Sequence, residues 1–111
     1  MKTIQGVLTL SATELVHLLK QVKLVDVRRP DEFTGELGHI PGAELITLGP
    51  DLVRFLEQQN KETELVFICR SGVRSHEACL LSQRLGFLKP MNLEGGMIHW
   101  NELQLPTEKS R

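Results

Sequence analysis

Apolar residues along the chain follow two periods in alternation. Ser11-Ala12-Thr13-Glu14 has the form of a capping box, and Leu15, Leu18, Leu19 and Val22 follow at helical spacing. A first helix is predicted there. Lys23-Leu24-Val25-Asp26-Val27 is short and β-branched, which predicts a buried strand. Pro30-Asp31-Glu32-Phe33 fits one helical turn with Pro at an early position. His39-Ile40-Pro41-Gly42 is turn chemistry, and Ala43-Glu44-Leu45-Ile46 predicts a short strand. Gly49-Pro50-Asp51 opens another helix, with Leu52, Phe55, Leu56 and Gln59 along one side.

Glu64-Leu65-Val66-Phe67-Ile68 is apolar at both alternating sets of positions, as in the centre of a parallel sheet. A loop of Arg, Ser and Gly follows it. The next helix carries Ala78, Leu81 and Leu85, and Gly86 is placed to cap its end. Met91-Asn92-Leu93 predicts a last strand, and Gly95-Gly96 leads into a closing helix with Met97, Trp100 and Leu103. Strands alternating with helices imply right-handed crossovers and an α/β fold with a central parallel sheet of about five strands and helices on both faces. Sites in such sheets form at the carboxyl ends of the strands. Two ends stand out here: Asp26-Val27-Arg28, and Cys69 with the loop after it.

Composition narrows the field of functions. The chain has 111 residues, 41% hydrophobic and 24% charged, the profile of one ordinary globular domain over 1–111. Lys plus Arg is 13 and Asp plus Glu is 14, so the net charge of -1 gives no basic excess for nucleic acid. The densest apolar run, Leu65-Val66-Phe67-Ile68-Cys69, is too short to span a membrane. The first ten residues lack a signal-peptide pattern, and two cysteines make no disulfide framework, so the expected compartment is the reducing cytoplasm. Residues 104–111 are polar and are expected to fray.

Cys69 carries the chemistry. It ends the central strand and precedes a loop in which Gly72 permits a sharp turn. Successive N–H groups in such a turn form an anion-binding nest, and the helix starting near Arg74 or Ser75 adds its positive end. Arg70 and Arg74 add two fixed cations. These all favour thiolate over thiol, so Cys69 is expected to be a nucleophile of depressed pKa.

Cys69-Arg70-Ser71-Gly72-Val73-Arg74-Ser75 resembles the active-site loop of the rhodanese family of sulfurtransferases. Asp26-Val27-Arg28 with Pro30, Glu32 and Phe33, then Gly38-His39-Ile40-Pro41-Gly42-Ala43, then Leu93-Glu94-Gly95-Gly96 with Trp100 resemble further landmarks of that family, in order. The resemblance spans about residues 6–103 and is to stand-alone thiosulfate sulfurtransferases. It implies that Cys69 takes the sulfane sulfur of a small anionic donor such as thiosulfate, releases sulfite, and passes the sulfur to cyanide, a thiol or a protein acceptor. The amides from Arg70 to Ser75 would hold the persulfide, including those of Ser71, Gly72 and Val73. Arg74, with Arg70, would bind the donor's sulfonate. No cofactor or metal is implied.

Two other readings stay open. Phosphatases and arsenate reductases of related type separate Cys and Arg by five residues and place His before the Cys, whereas Cys69 and Arg74 are separated by four and Ile68 precedes the Cys. The other is a sulfur-carrier or regulatory module working with a protein partner. Asp26 and Arg28 are expected to support the loop through hydrogen bonds to its backbone. His39 is a turn residue, His17 and His76 solvated helix positions, and His99 has no metal-ligand neighbours at useful spacing. Cys79 shares a helix face with Ser75 and Ser82, Trp100 is a core anchor, and Met97 is placed to shape acceptor access.

Overall fold

A computed structural model describes residues 1–110. Six strands form one sheet: β1 (Lys2–Ile4), β2 (Val7–Leu10), β3 (Lys23–Asp26), β4 (Glu44–Leu45), β5 (Leu65–Ile68) and β6 (Pro90–Leu93), in the spatial order β1-β2-β6-β5-β3-β4. From β2 to β4 every pairing is parallel, and β1 is antiparallel to β2. The sheet is thus five parallel strands with an antiparallel edge. That edge and β2, the fifth parallel strand, are absent from the hydropathy pattern.

The helices are α1 (Ala12–Val16), α2 (Pro30–Phe33), α3 (Pro50–Gln58), α4 (Val73–Arg84) and α5 (Gly96–Glu102). The alternation of strand side chains assigns them to two faces. Leu65, Phe67 and Cys69 of the β5 segment belong to the cluster with Leu52 and Leu56 of α3 and Ala78 and Cys79 of α4. Val66 and Ile68 belong to the other, with Ala12 and Leu15 of α1 and Met97 and Trp100 of α5. Cys69 therefore emerges from the middle of the sheet on the α4 face.

The capping box at Ser11 and Glu14 is present, but α1 ends at Val16. Beyond it Leu18 N–H bonds Leu15 O and Gln21 N–H bonds Leu18 O, so single turns carry Leu18 and Val22 onto the core in place of the longer helix expected. The C-terminal stretch also departs from expectation. Glu108 exchanges both backbone hydrogen bonds with His39, at 2.8 and 2.9 Å, and Trp100 Nε1 donates to Pro106 O at 2.9 Å. Those backbone groups are paired, so 105–108 lie against the body of the protein instead of fraying. Residue 111 falls outside the described residues.

Candidate active site

The loop after β5 owes its shape to α5. The carbonyls of Cys69 and Arg70 accept from the N–H groups of Met97 (2.9 Å) and Ile98 (3.0 Å), two of the orphan donors at the start of that helix. A planar trans peptide points its N–H opposite to its C=O. The N–H groups of Arg70 and Ser71 are consequently turned away from α5. Only glycine permits so close an approach, because a Cβ on Gly96 would lie 2.4 Å from Cys69 O.

Gly72, at φ 102°, then reverses the chain into α4. Its N–H donates to Cys69 Sγ at 3.1 Å, and the Ser75 N–H does so at 3.4 Å. The Ser75 hydroxyl lies 3.2 Å from the same sulfur. Cys69 is 1% exposed and Ser75 is fully buried. A sulfur held by two helix-start amides, on the positive end of a twelve-residue helix, sits in a setting that favours negative charge, and the Ser75 hydroxyl beside it donates to Asn92 Oδ1.

The arginines divide into three roles. Arg74 makes a two-pronged ion pair across to α2, Nη1 to Glu32 Oε1 at 2.8 Å and Nη2 to Glu32 Oε2 at 2.9 Å. Its fork thus faces a carboxylate, not the loop centre. Arg28 is 1% exposed and bonds Asp26 twice, Nε to Oδ1 at 2.9 Å and Nη2 to Oδ2 at 2.8 Å, with Nη2 also reaching Gly38 O at 2.7 Å. The Asp26–Arg28 pair therefore ties β3 to the turn before Ile40. Its hydrogen bonds do not reach the backbone of residues 69–75, contrary to the support expected of it. Arg70 is exposed and lines a cavity of about 280 Å3 together with Arg28, Asp31 and Glu32. A second cavity, of about 350 Å3, lies on the other side of the loop and takes in Ser71, Gly72, exposed Val73 and half-buried His76.

Other expectations resolve as follows. His39 stacks on Phe33 and its Nδ1 pairs with Phe33 O, which makes it a turn residue. His17 and His99 are exposed, and Trp100 is a core residue at 1% exposure. Met97 is fully buried among Leu93 and Trp100, so its side chain serves the core and not acceptor access. Burial pushes the Cys79 thiol up to about 12, which leaves it inert. Sequence reasoning gave no role to two residues that matter. Glu32 holds Arg74, and Asn92 on β6 bonds both Ser75 and Gly72. A polar residue inside a buried strand was the available signal for Asn92.

The family model for the rhodanese-like domain matches residues 11–103. The chain belongs to the rhodanese-like family. This rhodanese-like protein is 38% identical over 97 residues to a putative sulfurtransferase of Bacillus subtilis, spanning 87% of this chain and 90% of that one. It is 30% identical over 100 residues to the thiosulfate sulfurtransferase GlpE of Vibrio cholerae, spanning 90% and 92%. A rhodanese-related protein from Thermoplasma volcanium superposes with a TM-score of 0.82 at 26% identity, covering 93% of this chain and 99% of that one. Among the described residues, no helix is long and apolar enough to cross a membrane.

The Glu32–Arg74 clamp has a pH signature. Arg74 holds the Glu32 carboxyl down at about 2, from an ordinary 4.5. A depressed carboxyl contributes stability that is complete above its unfolded pKa and is lost as pH falls through the folded one. The expected result is a Tm advantage of the natural protein over Glu32→Gln at pH 6 that shrinks between pH 4.5 and 2. A constant difference across that range would show that the ion pair adds nothing to folding.

Proposed function

We propose that this chain moves sulfane sulfur from thiosulfate to a thiophilic acceptor through a persulfide on Cys69. The observation that carries the reading is the convergence of the Gly72 and Ser75 N–H groups on Cys69 Sγ. In the first step the Cys69 thiolate attacks the outer sulfur of thiosulfate. A new S–S bond forms as the old one breaks, and sulfite leaves with the electron pair. In the second, cyanide or a thiol attacks the outer sulfur of the persulfide, and Cys69 departs as thiolate. One difficult transfer is split into two easier ones, with ping-pong kinetics. The amides need not reorganise when charge arrives on the sulfur, and that is the source of the rate.

Arg70 is the cation for the donor's sulfonate end. Arg74 is committed to Glu32 and Arg28 to Asp26, while Arg70 faces the cavity beside the loop. The same commitment argues against phosphoryl chemistry, where a free guanidinium fork has to clasp the transferring group.

Thiosulfate treatment followed by peptide mass analysis tests the reading. One added sulfur is expected on the Cys69 peptide and none on the Cys79 peptide. Cyanide should then release it as thiocyanate. Absence of the added sulfur, or its appearance on Cys79, would overturn the proposal. In the same assay Arg70→Ala should raise KM for thiosulfate by about tenfold with kcat nearly unchanged, the mark of a lost charged contact made equally in ground and transition states.

A further inference from the structure

Asn92 lies on β6, next to β5, the strand that leads into Cys69, and is 6% exposed. Its Nδ2 donates to Gly72 O at 3.0 Å, and its Oδ1 accepts from the Ser75 hydroxyl at 2.5 Å. Gly72 and Ser75 are the two residues whose N–H groups meet Cys69 Sγ. We propose that Asn92 is the positioning residue of the sulfur site, fixing both donors and setting which way the Ser75 hydroxyl proton points.

Counting protons gives the second half of that statement its content. The carboxamide has one workable orientation, since reversing it would set its oxygen against the Gly72 carbonyl and its NH2 against a hydroxyl that no longer has an acceptor there. With Cys69 as thiol, two protons serve the chain Sγ, Ser75 Oγ, Asn92 Oδ1: S–H to Oγ, then O–H to Oδ1. Every link is satisfied, at 3.2 and 2.5 Å. With Cys69 as thiolate, its proton has gone to solvent and one proton remains for two acceptors. If the hydroxyl turns to the sulfur, Oγ and Oδ1 face each other with no proton between them. Asn92 thus restrains the hydroxyl from following the charge. Without the carboxamide, the hydroxyl is free to donate to the anion.

The inference rests on Cys69 being the reactive thiol, and its test avoids sulfur transfer. Cys69 alkylation by iodoacetamide is followed against pH, with peptides separated by mass so that Cys79 is read apart. Four proteins are compared: natural, Ser75→Ala, Asn92→Leu and the double variant. The other ionisable groups around the site include Arg70, Arg74, His76, Glu77 and Cys79 of the loop and α4, the Asp26–Arg28 pair at the end of β3, Asp31 and Glu32 of α2, and Glu94 after β6. All stay constant through the cycle.

With Asn92 in place, Ser75→Ala should leave the half-maximal pH unmoved or move it slightly downward, because the hydroxyl there accepts from the thiol and keeps its own proton on Oδ1. With Leu at 92 it should move upward, because the hydroxyl it removes is then a donor to the thiolate, and the two moves should differ by about threefold or more in ionisation constant, the size expected of contacting residues. Equal moves in both backgrounds would overturn the proposal. Should Asn92→Leu fail to fold, the natural protein decides. The side-chain amide resonances of Asn92 should titrate with the midpoint of Cys69 alkylation and stop titrating in Cys69→Ser. Resonances that do not move would overturn it equally. Intact coupling in a protein that never accepts sulfur from thiosulfate would instead sink the sulfurtransferase reading alone.

Discussion

Cys69→Ser is expected to lower thiocyanate formation from thiosulfate by about a thousandfold or more, the scale of losing a covalent nucleophile. The substitution keeps the shape of the site and removes the one atom able to hold a second sulfur. A serine hydroxyl is not ionised at neutral pH and is a weak nucleophile unless a base activates it. Among the described residues, no histidine or carboxylate hydrogen-bonds to the Cys69 sulfur; the side chain that does is the Ser75 hydroxyl. Folding should be little affected. The Gly72 and Ser75 amides that donate to sulfur can donate to oxygen, so stability is expected to fall by no more than about 1–2 kcal/mol. The matched control is Cys79→Ala, which removes the other thiol, buried on α4, and should leave turnover intact. Steady-state assays on both variants, with thermal melts alongside, check the prediction. Turnover persisting in Cys69→Ser would mean that sulfur travels by another route.

The features that were legible in the sequence share a physical trait: their signal is local. The β5 segment is apolar at every position because both its faces are covered, and it proved to be buried throughout. Gly72 and Gly86 sit where the chain needs positive φ, at 102° and 94°. The Ser11–Glu14 box is complete within four residues, with Ser11 N–H donating to Glu14 Oε1 at 2.8 Å and Glu14 N–H to Ser11 Oγ at 3.1 Å.

What was missed depends on partners far away in the chain or on an unusual turn. The β1–β2 hairpin turns at Gln5 and Gly6, both at positive φ (48° and 80°), without the Asn-Gly or Asp-Gly that advertises such a turn. Its outer strand carries Lys2 and Thr3, exposed at a sheet edge where no alternation is imposed. Helix α1 stops with no Gly or Pro to stop it, because its later leucines reach the core through turns. Arg74 was given to the donor by the family resemblance alone. Glu32, 42 residues earlier, had the stronger geometric fit. The Asp26–Arg28 pair followed the same logic, with Gly38 O taking the proton that the loop was expected to receive. The fold and the candidate nucleophile follow from near neighbours. Which charge faces the proposed donor follows from long-range packing.

Gly96→Ala should be the most damaging to the fold of the chain's glycine-to-alanine substitutions, and it leaves every reactive side chain in place. The added Cβ would lie 2.4 Å from Cys69 O, 2.6 Å from Arg70 C and 2.6 Å from Arg70 O. All three are backbone atoms, so no rotamer change relieves the contact. Gly96 also sits at φ 54°, where an L side chain costs about 1–2 kcal/mol. Relief requires α5 to withdraw from the loop, stretching the Met97 and Ile98 N–H bonds to those same carbonyls. Once freed, the two peptide units can rotate, and the amides of Arg70 and Ser71 lose their fixed direction. A loss of about 3 kcal/mol or more is expected, from overpacking and backbone strain together. Gly86→Ala separates the two. Gly86 has positive φ as well, at 94°, but nothing lies within 4 Å of its would-be Cβ. It should show the strain alone, about 1–2 kcal/mol, with persulfide formation unchanged. Urea unfolding midpoints at constant m-value measure the stability of each, and sulfur loading from thiosulfate measures the site. If Gly96→Ala proves no less stable than Gly86→Ala and loads sulfur normally, α5 is not what orients the loop.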